Sequence, residues 1–284
     1  MAKRKIDWDE NKLKKWIQEG RGQGEGKDYK PWLTVTDFSS RGRCSRLKGI
    51  KTGRIHHFMA DIETWYFYLL EFDEGNKITD IREFYPLLDF DEVVQDKQDI
   101  SKNLFIDKKT GCPYVLTTTF LITVKLKNGK TSYAARSVKS SKILERKTTL
   151  EKLEMERRYW QIKGVDWAIV TEKDINRDKA KNIEWALSSI HMLPDMRFNE
   201  DDIVELGSAL QFRLANSTKS IRSVIADFDY DYALDTGTGL FLFRYLVAVK
   251  AIKIDMETPI DLNVPANSIQ VVKDMEEGII SVNG

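Results

Sequence analysis

The sequence predicts an α/β fold: a mixed sheet flanked by helices, followed by a smaller domain of short helices ending in a β element. Between Tyr114 and Thr171 the chain reads in order as strand, hairpin, charged helix and buried strand, which is the alternation of an α/β layer. Past Leu193-Pro194-Asp195 the pattern changes to three short helical stretches and one strand. The length of 284 residues exceeds what one hydrophobic core commonly serves, so two domains are expected, 1–190 and 195–284.

Taken in order, Trp8 to Glu19 reads as an amphipathic helix with Trp8, Leu13, Trp16 and Ile17 on its apolar face, stopped by Gly20. A glycine-rich basic stretch follows, and Pro31 to Val35 reads as a short strand. Arg41 to Arg54 has no periodicity and reads as a basic loop. From Ile55 to Phe72 apolar residues recur at helical spacing, a core helix, and Ile78 to Tyr85 is a strand. Leu88 to Asp107 is acidic and irregular.

Tyr114 to Lys125 and Thr131 to Val138 are β-branched runs around Lys127-Asn128-Gly129-Lys130, a hairpin signal. Two registers are open. A three-residue loop with Gly129 left-handed pairs Thr119 with Ser137 and sets Thr119, Ser137 and Lys139 on one face; a two-residue Asn-Gly turn pairs Thr119 with Val138 and sends Lys139 to the other. Ser141 to Lys163 reads as a long charged helix with Leu150, Leu153, Tyr159 and Trp160 as buried candidates; Asp166 to Thr171 is a buried strand, and Asn182 to Ile190 a helix. Trp160 and Trp185 are read as core. Asn199 to Leu214, Ser217 to Asp227 and Thr238 to Ala251 are short helices leading into a strand at Ile252 to Met256, the pattern of a winged helix.

The bulk numbers exclude several classes. No apolar run approaches the roughly 20 residues of a membrane span, and Met1 to Glu10 lacks the apolar region of a secretory signal. Cys44 and Cys112 are too few for a disulfide framework, and a cytoplasmic location is expected. The net charge of +1 hides an asymmetry: residues 1–54 hold 15 Lys/Arg against 7 Asp/Glu, whereas residues 195–284 hold 8 against 15. A basic end suits nucleic-acid phosphates, and Arg41, Arg43, Arg46, Lys48, Lys51 and Arg54 are the candidate contacts. An acidic end suits a basic protein partner and argues against DNA reading there. His56 and His57 are not read as zinc ligands, since neighbours on a helix cannot both face one ion.

The segments EGRGQGEGKDYKPWLTV (Glu19 to Val35), KTGRIHHFMADIE (Lys51 to Glu63), TLEKLEMERRYWQIKGVDWAIVTEKDIN (Thr149 to Asn176) and NIEW (Asn182 to Trp185) resemble, in the same order, the TnsA family of transposase endonuclease subunits. The resemblance implies a restriction-endonuclease-like domain followed by a winged-helix domain. It also implies magnesium-dependent cleavage of the 5′ ends of a transposon, a TnsB-like transposase that handles the 3′ ends, and a TnsC-like ATP-dependent regulator met by the C-terminal domain.

Hydrolysis of a phosphodiester in such a site needs ions held by carboxylates, with a lysine against developing negative charge. The family's helix glutamate falls on Glu63, which makes Glu63 the metal and catalytic position, and its lysine on Lys139. Its strand aspartate falls on Thr119 and its glutamine on Ser137, so two ligand positions are degenerate. Asp61 and Asp107 are the nearby acids available as substitutes, although Asp61, two residues from Glu63 on a helix, points away from it. The readings that follow are an endonuclease working inside a transposase complex, and a nuclease-fold subunit that no longer cuts but bridges transposase and regulator.

Overall fold

The computed structural model describes residues 8–37, 43–75, 77–96, 105–195 and 197–272. They divide into two compact units, with the division between Ile175 and Asn176. This boundary lies ahead of the expected one, because the helix between them packs along the last helix of the second unit.

The first unit opens with α1 (Glu10–Gln18), capped by Asp9, whose side chain accepts the Lys12 N–H at 2.8 Å. Pro31 to Val35 is not a strand: Trp32 is drawn into a cluster with Trp8 and Trp16, and Thr34 to Asp37 closes a turn in which Asp37 accepts the Thr34 N–H. The stretch expected as a basic loop contains β1 (Ser45–Lys48), paired antiparallel with β2 (Ile55–Phe58). The expected helix over Ile55 to Phe72 is therefore two elements, β2 and α2 (Asp61–Glu71), divided at Ala60, whose φ of −152° is extended. Burial of His56 and Phe58 with His57 turned the other way is strand alternation.

The central sheet has the order β3 (Ile78–Pro86), β4 (Thr117–Lys125), β5 (Thr131–Val138), β6 (Asp166–Val170), antiparallel except for the β5–β6 pair. A single turn, α3 (Phe90–Val93), follows β3. The β4–β5 hairpin takes the three-residue loop. Leu126 donates to Lys130 O at 2.8 Å, and Gly129 has φ +79°, a conformation that glycine reaches without a Cβ penalty. Lys125 pairs with Thr131 and Phe120 with Arg136, a register that continues to Thr119 opposite Ser137.

Helices cover both faces. Phe120, Ile122 and Val138 pack with Phe58, Phe67 and Leu70 on the α2 side, whereas Leu121 and Ala135 pack with Met155, Tyr159 and Trp160 of α4 (Lys147–Ile162) on the other. A 3-10 turn at Ser141–Glu145 precedes α4, and Leu150, expected inside, is 48% exposed. In the second unit α5 (Arg177–Met192) and α8 (Thr238–Ala248) pack together with α6 (Glu200–Ala215) and α7 (Ile221–Asp231); β7 (Ile252–Lys253) and β8 (Gln270–Val271) pair beside them. Asn182 of α5 donates to Met256 O and Thr258 O, tying it into this unit. Among the described residues no helix is long and apolar enough to cross a membrane.

A buried ion cluster joins the β1–β2 ribbon to the sheet. Glu83 on β3, fully buried, accepts two hydrogen bonds from Arg54 at 2.8 and 2.5 Å and one from His56 Nδ1 at 2.8 Å. Burial alone would raise its pKa, but the charges and hydrogen bonds of His56 and Arg54 outweigh burial and hold it at about 2. A depressed carboxyl contributes stability above its unfolded value, about 4.3, and loses it as pH falls toward the folded one. Glu83→Gln is expected to cost about 3 kcal/mol at neutral pH and to flatten the acid loss of stability below about pH 4.3; denaturant melts across pH measure both.

Candidate functional site

The hairpin register brings the end of β4 against the end of β5. Thr119 Oγ1 accepts the Val138 N–H at 3.1 Å and the Lys139 ammonium at 3.3 Å. Thr119 is buried and fills the place between the two strands. Lys139 directly follows β5, and its own N–H donates to Val170 O at 2.9 Å. The main chain under the ammonium is thereby pinned to β6.

Glu63 lies in the first turn of α2, 8% exposed. Its carboxylate accepts the Met59 N–H at 2.7 Å, a backbone donor left over at a helix start. Burial pushes its carboxyl up, while the charge of Lys139 and the Met59 and Ala60 N–H groups pull it back. Glu63 and Lys139 are therefore electrostatic neighbours although they come from different layers: α2 on one face, the strand end beyond it.

Ser137 is engaged on the α4 side. Its hydroxyl donates to Glu156 Oε1 of α4 at 2.5 Å and accepts Trp167 Nε1 at 3.1 Å. Glu156, missed in the sequence, is the second acid at Lys139. It is buried, its carboxyl is pushed up by burial, and the lysine charge and the Ser137 hydroxyl oppose that rise. The signal was available, since Glu156 falls between Leu153 and Trp160 on the apolar stripe of α4, a place where an unpaired acid is costly. Two buried carboxylates thus face one ammonium.

The candidate substitutes are elsewhere. Asp107 is held in its own turn by the Tyr114 hydroxyl and the N–H groups of Lys109 and Thr110, which keep it at about 2, and Asp61 is exposed. Among the described residues no three His, Cys, Asp or Glu side chains gather as metal ligands. Magnesium wants several hard oxygens, anionic ones first. A neutral Thr119 hydroxyl engaged by Lys139, and a Ser137 hydroxyl spent on Glu156, do not fit a two-ion site. His56 and His57 lie on opposite sides of a strand, His56 toward Glu83 and Thr52 and His57 toward Val35 N, so strand geometry rather than helix geometry separates them.

The basic candidates divide. Arg43, Arg46 and Lys48 are exposed, with Arg46 and Lys48 on the same side of β1. Lys51 is half-buried beside Glu71 and Asp73, its pKa lowered by burial. Arg54 is withdrawn from the surface: besides Glu83 it donates to Ile81 O and Gly26 O and lies 4.9 Å over the Tyr29 ring. It is a structural cation, not a phosphate contact. Arg41 lies outside the described residues.

Comparison with known proteins agrees with this architecture. Residues 75–172 match the family described as TnsA-like endonuclease N terminal, and residues 174–256 match TnsA endonuclease C terminal. Thr119, Ser137, Lys139 and Glu156 fall inside the first match, and Glu63 precedes it. The chain is 42% identical over 194 residues to the Transposon Tn7 transposition protein TnsA of Escherichia coli, and the aligned stretch spans 66% of this chain and 66% of that protein. The mixed sheet with helices on both faces is the restriction-endonuclease-like arrangement expected of such a domain.

Replacement of Thr119 by valine keeps its shape and removes the acceptor for the buried Val138 N–H. The expected loss is about 1–3 kcal/mol of stability, with Thr119→Ser close to the parent; chemical denaturation of the three proteins measures it.

Proposed function

Because the chain belongs to the TnsA endonuclease family, we propose that it is the subunit of a heteromeric Tn7-type transposase that engages the 5′ ends of the element. The observation that carries this reading is the meeting of Lys139 with Thr119, beside Glu63, where the resemblance puts the reacting phosphate. An ammonium fixed at the end of a strand offers a preorganised positive charge to a phosphate oxygen, and such charge acts most strongly where negative charge develops. Glu63, raised by burial, is a better proton acceptor than a free glutamate.

Transposon-end DNA is the proposed substrate. The exposed face of β1, with Arg46 and Lys48, is a short basic ribbon suited to phosphates. A TnsB-like transposase and a TnsC-like regulator are the proposed partners. The regulator is assigned to the acidic C-terminal unit, whose helices and β7–β8 pair we read as a winged-helix variant serving protein contact.

Endonucleases of this kind are generally metal-dependent, and magnesium is the ion the resemblance names. The poor fit of Thr119 and Ser137 to such an ion favours a second reading, in which the fold bridges transposase and regulator without cutting. One experiment separates them: 5′-strand nicking of transposon-end DNA by the chain with its TnsB-like partner, in magnesium or manganese. Thr119→Asp is expected to nick at least about tenfold faster than the parent, about 1.4 kcal/mol in the barrier. Parent ends left intact together with a nicking Thr119→Asp protein remove the cutting reading for this chain; rapid nicking by the parent, with no gain from aspartate, removes the bridging one.

Arg46→Ala and Lys48→Ala are each expected to lower the salt dependence of DNA binding by about one phosphate contact, nearly independent of base sequence. Binding measured across a salt series checks this, and an unchanged slope places the DNA elsewhere.

A further inference from the structure

Beside Lys139 the first unit holds a cavity of about 530 Å3 that the catalytic reading leaves unused. Its walls include Trp8, Tyr114 and Leu116 on one side and Lys139, Lys152 and Glu156 on another. Ligand sites commonly measure roughly 300–1,000 Å3 and combine apolar walls with a few converging polar groups. We propose that this cavity is a nucleotide subsite: it receives one unstacked nucleotide of the bound DNA, its base against Tyr114 and Trp8 and its phosphate beside Lys152. The proposal rests on the reading of transposon-end DNA as substrate, and adds to it that the DNA is read in a locally opened form.

The wall is built to stay in place. Trp8 and Trp16 meet edge to face with centroids 5.1 Å apart, Trp16 and Trp32 likewise at 5.2 Å, and Trp8 Nε1 donates to Pro113 O at 2.7 Å. Tyr114 lies stacked over Trp8 at 6.4 Å and 25°, while its hydroxyl donates to Asp107 Oδ2 at 2.5 Å. That bond fixes a ring that is still 43% exposed. A fixed, accessible aromatic ring is what a nucleobase stacks upon, independent of base identity.

The charges select the class of ligand. Lys152 is exposed on α4, and Lys139 links the cavity to Thr119, where the proposed function puts the reacting phosphate. Glu156 Oε1 accepts the Ser137 hydroxyl, and two ammonium groups stand at the wall against this one carboxylate. A lone apolar ligand has no use for two ammonium groups, whereas a nucleotide presents both a ring face and a phosphate. Stacking on an aromatic side chain returns a free energy of the same order as that needed to unstack one base from a duplex. Occupancy therefore favours a base that is already unpaired.

The test uses the full chain and two fluorescein-tailed DNA duplexes carrying 2-aminopurine, one with the probe paired and one with it opposite an abasic position. Anisotropy reports binding, and 2-aminopurine emission reports stacking. The expected result is tighter binding of the unpaired duplex with at least twofold quenching of its probe. Tyr114→Ala should lose about tenfold in affinity for it, and Lys152→Gln should lose several-fold. Lys142→Gln, an exposed charge outside the cavity wall, is the control and should not. Circular dichroism confirms that each variant is folded. If both duplexes bind alike, the probe signals do not differ and Tyr114→Ala changes nothing, the subsite is overturned while the DNA reading stands. If neither duplex binds, both fall.

Discussion

Gly129 in the left-handed region closes a three-residue loop, and that loop fixes which residues of β4 and β5 face one another. Side chains alternate along a strand, so a slip of one residue would move Thr119 away from Ser137 and send Lys139 to the opposite layer. With the register as it is, Thr119 sits at the strand end with its hydroxyl between Val138 N and the Lys139 ammonium. The geometry of the candidate site follows from this hairpin and from the anchoring of Lys139 N–H to β6.

Around that lysine the charges do not balance. Glu63 from α2 and Glu156 from α4 are both buried, both pushed up by burial, and both drawn back by the same ammonium. Buried carboxylates with raised pKa values and a shared charged partner mark a candidate site for chemistry. Thr119, where the resemblance expects an aspartate, brings no negative charge to the same spot. A neutral side chain there adds no third carboxylate to the two that already face the lysine.

The Glu83 cluster shows how a basic-looking segment can be mostly architecture. Arg54 and His56 belong to the stretch richest in positive charge, yet both are consumed by one buried carboxylate. This holds the β1–β2 ribbon against β3, and it leaves Arg43, Arg46 and Lys48 at the surface. Composition counts charges without regard to which are neutralised inside, and so it overstated the exposed basic face.

The α/β class, the hairpin with its two possible registers, α4, β6 and the short C-terminal helices were legible because each is set by local periodicity or by a turn residue. The expectation placed on Glu63 came only through resemblance, since nothing in a single helical glutamate marks it. The split of Ile55–Phe72 into strand and helix was not legible. Its apolar spacing serves either element, and only pairing of β2 with β1 decides. Glu156 was overlooked because its helix is rich in charge, although its place on the apolar stripe between Leu153 and Trp160 marked it for burial. Local sequence therefore determined the elements and the order of the chain. Tertiary structure decided which charges are buried, which are paired and which meet at Lys139, because desolvation and Coulomb interaction depend on neighbours distant along the chain.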